Sequence, residues 1–109
     1  MADDITQQID DEIRNNKIMI YMKGNRTFPQ CGFSAATIEI FQELGKPFHT
    51  VDVLSEPAKR DAIKRYSNWP TIPQVYIDGK FVGGSDIVRE MFSTGDLQRL
   101  VDAAFTGTH

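Results

Sequence analysis

A single cysteine, Cys31, stands in the run Pro29-Gln30-Cys31-Gly32-Phe33-Ser34. A thiolate is both a nucleophile and a metal ligand, so this run is the first candidate for chemistry. It follows the apolar stretch Ile18-Met19-Ile20-Tyr21-Met22 and a loop. It opens a segment in which Phe33, Thr37, Ile40, Phe41 and Leu44 recur at helical spacing. The pattern places Cys31 at a helix N-terminus. Unpaired backbone N–H groups and the helix dipole favour an anion there, and so favour thiolate over thiol. Lys23, at the end of the predicted strand, adds positive charge nearby. The plainer alternative is a small buried apolar cysteine. Pro29, Gly32 and the helix start favour the reactive reading.

Cys31-Gly32-Phe33-Ser34 has the spacing of a C-x-x-C redox motif with serine in the second position. A hydroxyl cannot close a disulfide, so redox cycling between two cysteines of one chain is excluded. Whatever Cys31 does requires a thiol or a metal from outside the chain. His49 and His109 have no metal-ligand spacing with Cys31 and are not counted as ligands.

The elements that position this run follow from length and pattern. The chain has 109 residues, which suits one domain, 1–109, with one modest core. Its net charge of −3 leaves no basic excess to track phosphates, so a nucleic-acid partner is not expected. No apolar run approaches the roughly 20 residues of a membrane span. The acidic start Met1-Ala2-Asp3-Asp4 lacks the features of a signal peptide. One cysteine allows no intrachain disulfide framework, which makes the reducing cytoplasm the expected location.

Ile5, Ile9 and Ile13 predict an amphipathic helix over 4–15, with Asp3 or Asp4 as its cap. Residues 18–22 read as a strand buried on both faces. The Cys31 helix runs to about Leu44, where Gly45 and Pro47 stop it. Phe48 to Val53 reads as a second strand, parallel to the first with a right-handed crossover. Ser55 is the expected cap of a third helix that has Pro57 in its first turn, carries Lys59, Arg60, Lys64 and Arg65, and ends near Tyr66. Those charges read as a solvated face, with Arg60 and Lys64 within reach of an anionic ligand. The prolines of Trp69-Pro70-Thr71-Ile72-Pro73 rule out a helix there.

Gln74–Ile77 and Phe81-Val82 flank Asp78-Gly79, a two-residue hairpin signal. Gly83-Gly84-Ser85-Asp86 leads into a helix with Ile87, Val88, Met91 and Phe92 on one side. A tight turn with a serine cap explains that run; so does a backbone left open to a carboxylate. After Gly95, residues Leu97, Leu100, Val101, Ala104 and Phe105 complete a last amphipathic helix.

Taken together, Lys23, Cys31-Gly32-Phe33-Ser34, Trp69-Pro70-Thr71-Ile72-Pro73 and Gly83-Gly84-Ser85-Asp86 resemble the monothiol, CGFS-type glutaredoxins. The resemblance covers nearly the whole chain. The longer loop between Lys23 and Cys31 and the Trp69-Pro70 pair point to this class rather than to dithiol relatives. It implies a thioredoxin-like α/β fold, a four-stranded mixed sheet flanked by helices, with a cis peptide before Pro73. It also implies glutathione binding, with Lys23, Arg60, Ile72, Ser85 and Asp86 at the matching positions. Lys23 and Arg60 would pair a carboxylate, and the Ile72 backbone would bond the tripeptide as an added strand. Ser85, at a helix N-terminus, would take the γ-glutamyl carboxylate, and Asp86 the ammonium. One departure stands out: many relatives carry a second cysteine where this chain has Ser85.

The first function implied is carriage of a [2Fe–2S] cluster. Such a cluster takes four ligands, and one chain offers Cys31 alone. Two Cys31 thiolates and two glutathiones complete the set, which makes the cluster the bridge of a homodimer. Apo iron–sulfur acceptor proteins and a BolA-family protein are the partners implied. The alternative is an enzyme, a glutathione-dependent thiol–disulfide oxidoreductase of weak activity in which Cys31 is the catalytic nucleophile. A third reading is a binding module without chemistry, which a fully functional Cys31→Ser variant would reveal.

Overall fold

The computed structural model describes residues 2–106, so His109 lies outside the described residues. Five helices and four strands follow in the order α1 (Ala2–Asn15), β1 (Ile18–Met22), α2 (Gly32–Leu44), β2 (His49–Asp52), α3 (Pro57–Ser67), β3 (Gln74–Ile77), β4 (Lys80–Gly83), α4 (Ser85–Thr94) and α5 (Asp96–Thr106). The strands form one sheet in the order β2-β1-β3-β4. Strand β1 pairs parallel with β2 and antiparallel with β3, and β3 pairs antiparallel with β4. This is the four-stranded mixed sheet that the family resemblance implied.

Every residue of β1 is buried, which is why the strand reads as an uninterrupted apolar run. Successive side chains take opposite faces. Ile18, Ile20 and Met22 join Ile38 and Phe41 of α2, Val88 of α4, and Leu97 and Val101 of α5 on one side. Met19 and Tyr21 join Ile9 and Ile13 of α1 and Ala62 and Ile63 of α3 on the other. The sheet is thus covered by α2, α4 and α5 on one face and by α1 and α3 on the opposite face. No helix among the described residues is long and apolar enough to cross a membrane.

Several local expectations shift. Helix α1 begins at Ala2, ahead of the caps expected at Asp3 or Asp4. Ser55 is not the cap of α3. Its hydroxyl donates to the Asp52 carbonyl at 3.0 Å, and Glu56 takes the N-cap position with Pro57 directly after it. Proline suits the first helical position because the N–H it lacks would have no partner there. Gly84 rather than Ser85 caps α4. Leu100 and Ile87 stay partly exposed although their spacing matches their helices' apolar stripes. Phe33 is 60% exposed on the first turn of α2, off the core altogether.

The α1–α3 face contains one charged cluster. Lys59 is buried and pairs with Glu12 and, at 3.4 Å, with Glu56. The Tyr21 hydroxyl donates to the same Glu12 carboxylate at 2.7 Å. Burial alone would lower the Lys59 pKa, but the hydrogen bond and charge of Glu12 outweigh it and hold it above its ordinary 10.5. A raised folded-state pKa stabilises the fold at every pH below the unfolded value and fades as pH climbs through the folded one. Lys59→Met should therefore cost about 2–3 kcal/mol in urea unfolding at pH 7, because it leaves Glu12 with a hydroxyl donor only. The difference between variant and parent should shrink as the pH rises past the lysine range, and a constant difference would disprove the ion pair's role.

Candidate functional site

The site is assembled where β1 ends. Beyond Met22 the strand stops pairing along its length, and individual hydrogen bonds take over. Lys23 N–H donates to Ser34 Oγ at 3.2 Å, which ties the first turn of α2 to the strand. Gln30 N–H donates to the Lys23 carbonyl at 2.9 Å, bringing the loop back beside Cys31. Gly24 N–H donates to the Asp52 carboxylate at 2.9 Å, anchoring the loop to β2. Gly24 lies at φ 85°, and a Cβ there would come within 2.5 Å of the Phe28 carbonyl oxygen. Only glycine fits that crossing. Inside the loop, the Asn25 carboxamide accepts from Thr27 and Phe28 N–H, and Arg26 bonds the Phe48 carbonyl while lying over its ring. The loop is a braced turn that leaves Phe28 68% exposed at its tip.

Cys31 is the N-cap of α2 and half-buried. The backbone N–H of Ser34 lowers its pKa most, followed by the N–H of Phe33, the charge of Lys23 and the Ser34 hydroxyl; burial opposes them without prevailing. The net direction is down, towards thiolate. Ser34, read from the sequence only as a missing cysteine, is wholly buried and has a positive role. It couples the strand end to the cysteine's helix turn.

Cys31 opens onto a cleft of about 520 Å³. Lys23, Ile72, Ser85 and Asp86 line it with Cys31, so four of the five expected binding residues converge there. Arg60 does not line it. That side chain stands exposed on α3, and Lys64, one turn later, lines the cleft instead. The Trp69–Pro73 segment also lines the cleft, and its Ile72-Pro73 peptide is cis, as the resemblance implied. Gly84 packs tightly against this segment: a Cβ there would lie 3.2 Å from the Pro73 carbonyl oxygen and 3.5 Å from Trp69 Nε1. The two motifs therefore share one wall although thirteen or more residues separate Trp69 from the Gly83–Asp86 run in sequence. The apolar rim residues Phe33 and Ile87, whose spacing puts them in line with their helices' other apolar residues, both line the cleft. Their exposure is visible only once the sheet edge is built.

The Glutaredoxin family profile matches residues 18–82, which include the loop, the cysteine motif and the Pro73 turn. The chain belongs to the glutaredoxin family, on its monothiol branch. It is 52% identical over 97 residues to a ycf64-like monothiol glutaredoxin of Synechocystis, spanning 89% of this chain and 91% of the relative. It superposes on the solution structure of reduced poplar apo GrxS14 with a TM-score of 0.83 at 41% identity, covering 94% of each chain. The crystal structure of a buckwheat glutaredoxin–glutathione complex shares the fold, with a TM-score of 0.85 at 23% identity, covering 95% of this chain and 93% of that one.

In this glutaredoxin the thiol's reactivity should depend on the first turn of α2 as a unit. Alkylation of Cys31 followed against pH should show a midpoint below that of a free thiol. Ser34→Ala should move that midpoint up, since it removes the hydroxyl that acts on the sulfur and also receives Lys23 N–H. An unmoved midpoint would show that the hydroxyl has no part in activating the thiol.

Proposed function

We propose that the chain binds glutathione in the cleft beside Cys31, and that two chains with two glutathiones carry a [2Fe–2S] cluster as cargo for apo iron–sulfur proteins. The observation that carries this reading is one accessible, anion-favouring thiol with no partner ligand among the described residues of its own chain. Among the described residues no group of three or more His, Cys, Asp or Glu is placed to hold a metal. A cluster that takes four thiolate-type ligands would thus draw one from each chain and the remainder from outside, and a homodimer follows from that arithmetic. The cleft suits an extended tripeptide with carboxylates at both ends. Lys23 and Lys64 supply cations at one side, and the N-terminus of α4 supplies free N–H groups at Ser85. Asp86 would meet the ammonium beside that second carboxylate. Arg60 joins the carboxylate end only by reorienting its exposed side chain. The complex of the buckwheat relative with glutathione supports the ligand. Acceptor apo proteins, a BolA-family protein and a cytoplasmic setting complete the proposal.

The thiolate-favouring surroundings of Cys31 also support a second reading, a glutathione-dependent oxidoreductase. Cys31 would attack the sulfur of a glutathionylated substrate, forming a mixed disulfide and releasing the substrate thiolate. A second glutathione thiolate would then attack that disulfide, regenerating Cys31 and leaving oxidised glutathione.

Anaerobic reconstitution with iron, sulfide and glutathione distinguishes the two. Carriage predicts a coloured dimer and a colourless monomer on size-exclusion chromatography, and transfer to an apo-ferredoxin within minutes. A cluster-bearing monomer, or a cluster formed without added thiol, would sink the shared site. Brisk reduction of a glutathionylated peptide with no cluster formed would put the enzyme first. Lys23→Ala should weaken glutathione binding about tenfold or more in calorimetry, the size of a lost charge-assisted hydrogen bond, and raise the Cys31 titration midpoint. If neither quantity moves, Lys23 is outside the site.

A further inference from the structure

Gln74, the first residue of β3, is fully buried in a sheet whose other β3 residues are Val75, Tyr76 and Ile77. Its amide is fully engaged. Nε2 donates to the Trp69 carbonyl at 3.0 Å and to the Thr71 carbonyl at 3.2 Å. Oε1 accepts from the Tyr76 hydroxyl at 3.1 Å. The opposite amide orientation would set Oε1 against two carbonyls, so these contacts fix which end faces which. Burial holds the Tyr76 phenol well above its ordinary pKa, so it stays protonated and able to donate. Within the segment being held, Pro70 and Pro73 have no N–H to donate, and the Trp69 N–H bonds backwards to the Lys64 carbonyl at 3.1 Å.

The consequence lies in the Thr71–Ile72 peptide. A trans peptide is planar, with its C=O and N–H on opposite sides. Drawing the Thr71 carbonyl in towards Gln74 turns the Ile72 N–H away from it, where Thr71 and Ile72 line the cleft. We infer that Gln74 is a positioning residue: its amide sets the plane of the Thr71–Ile72 peptide, so that the cleft offers an extended peptide ligand a fixed, strand-like hydrogen-bonding edge. This inference rests on the reading of the cleft as a glutathione site. Tyr76 acts one step further out, pinning the amide that pins the peptide.

The test compares calorimetric binding of reduced glutathione by the parent, Gln74→Met and Tyr76→Phe, with Cys31 alkylation against pH as the second readout. Methionine keeps the length and burial of glutamine and removes both donors. Gln74→Met should bind glutathione about tenfold more weakly, because a misplaced peptide plane loses its bonds to the ligand. The Cys31 titration midpoint should stay put, since no contact of Gln74 reaches the thiol. Tyr76→Phe should weaken binding by a smaller factor in the same direction. Unchanged affinity in Gln74→Met overturns the inference, as does a Cys31 midpoint that shifts along with affinity, which would signal a disturbed cleft. If circular dichroism shows Gln74→Met unfolded, Tyr76→Phe decides: weaker binding supports the inference and unchanged binding overturns it. A parent protein that binds no glutathione defeats the glutathione reading itself, a result distinguishable from equal binding by parent and variant.

Discussion

The C-terminal end of β1 is the constraint on which the site depends. Up to Met22 the strand is held by β2 on one side and β3 on the other. Past it, backbone groups of Lys23 and Gly24 bond in turn to Ser34, Gln30 and Asp52. Each of these bonds fixes a different neighbour: the cysteine's helix, the loop before it, and β2. A buried or half-buried backbone group left unpaired is costly, so the three neighbours are held wherever the strand end is held. The site sits outside the carboxyl ends of the parallel pair, where α/β sheets usually leave room for ligands.

This arrangement explains how so small a chain draws a thiol towards thiolate without a second cysteine. Helix N–H groups supply most of the pull on the sulfur, with Lys23 adding charge from the strand. Both come from backbone and a single lysine already placed by the sheet. The opposite wall is built separately, by the Trp69–Pro73 segment and the turn into α4. An interlocked aromatic group of Trp69, Phe81 and Tyr76 supports it from behind, with ring centroids 5.3 and 5.7 Å apart.

The two walls carry different chemistry. The Cys31 side offers a nucleophile and positive charge, while the facing side offers peptide groups and a helix start. A ligand that touches both walls spans the cleft from the Cys31 thiol to the N-terminus of α4.

Much of this was legible in the residues themselves. The apolar run of β1, the helix that starts at Cys31 and the Asp78-Gly79 hairpin follow from periodicity and turn chemistry, which act over a few residues, while the four-stranded mixed sheet was implied by the family resemblance. The lone cysteine by itself excluded an intrachain disulfide. What required the tertiary structure was every question of which side chain meets which across the sheet. Spacing puts Phe33 and Ile87 in line with their helices' other apolar residues; packing leaves them on the cleft rim, since a helix period tells which residues share a face but not where that face ends. Lys64 rather than Arg60 lines the cleft because the rotation of α3 is set by Ile63 and Ala62 docking beneath the sheet, not by the helix's own sequence. Ser34 reads in the sequence as a replaced cysteine and Gln74 as the first residue of a short strand. Their bonds run to Lys23, and to Trp69 and Thr71, and a hydrogen bond's partner is fixed only when two separately folded segments come within 3 Å or so of each other.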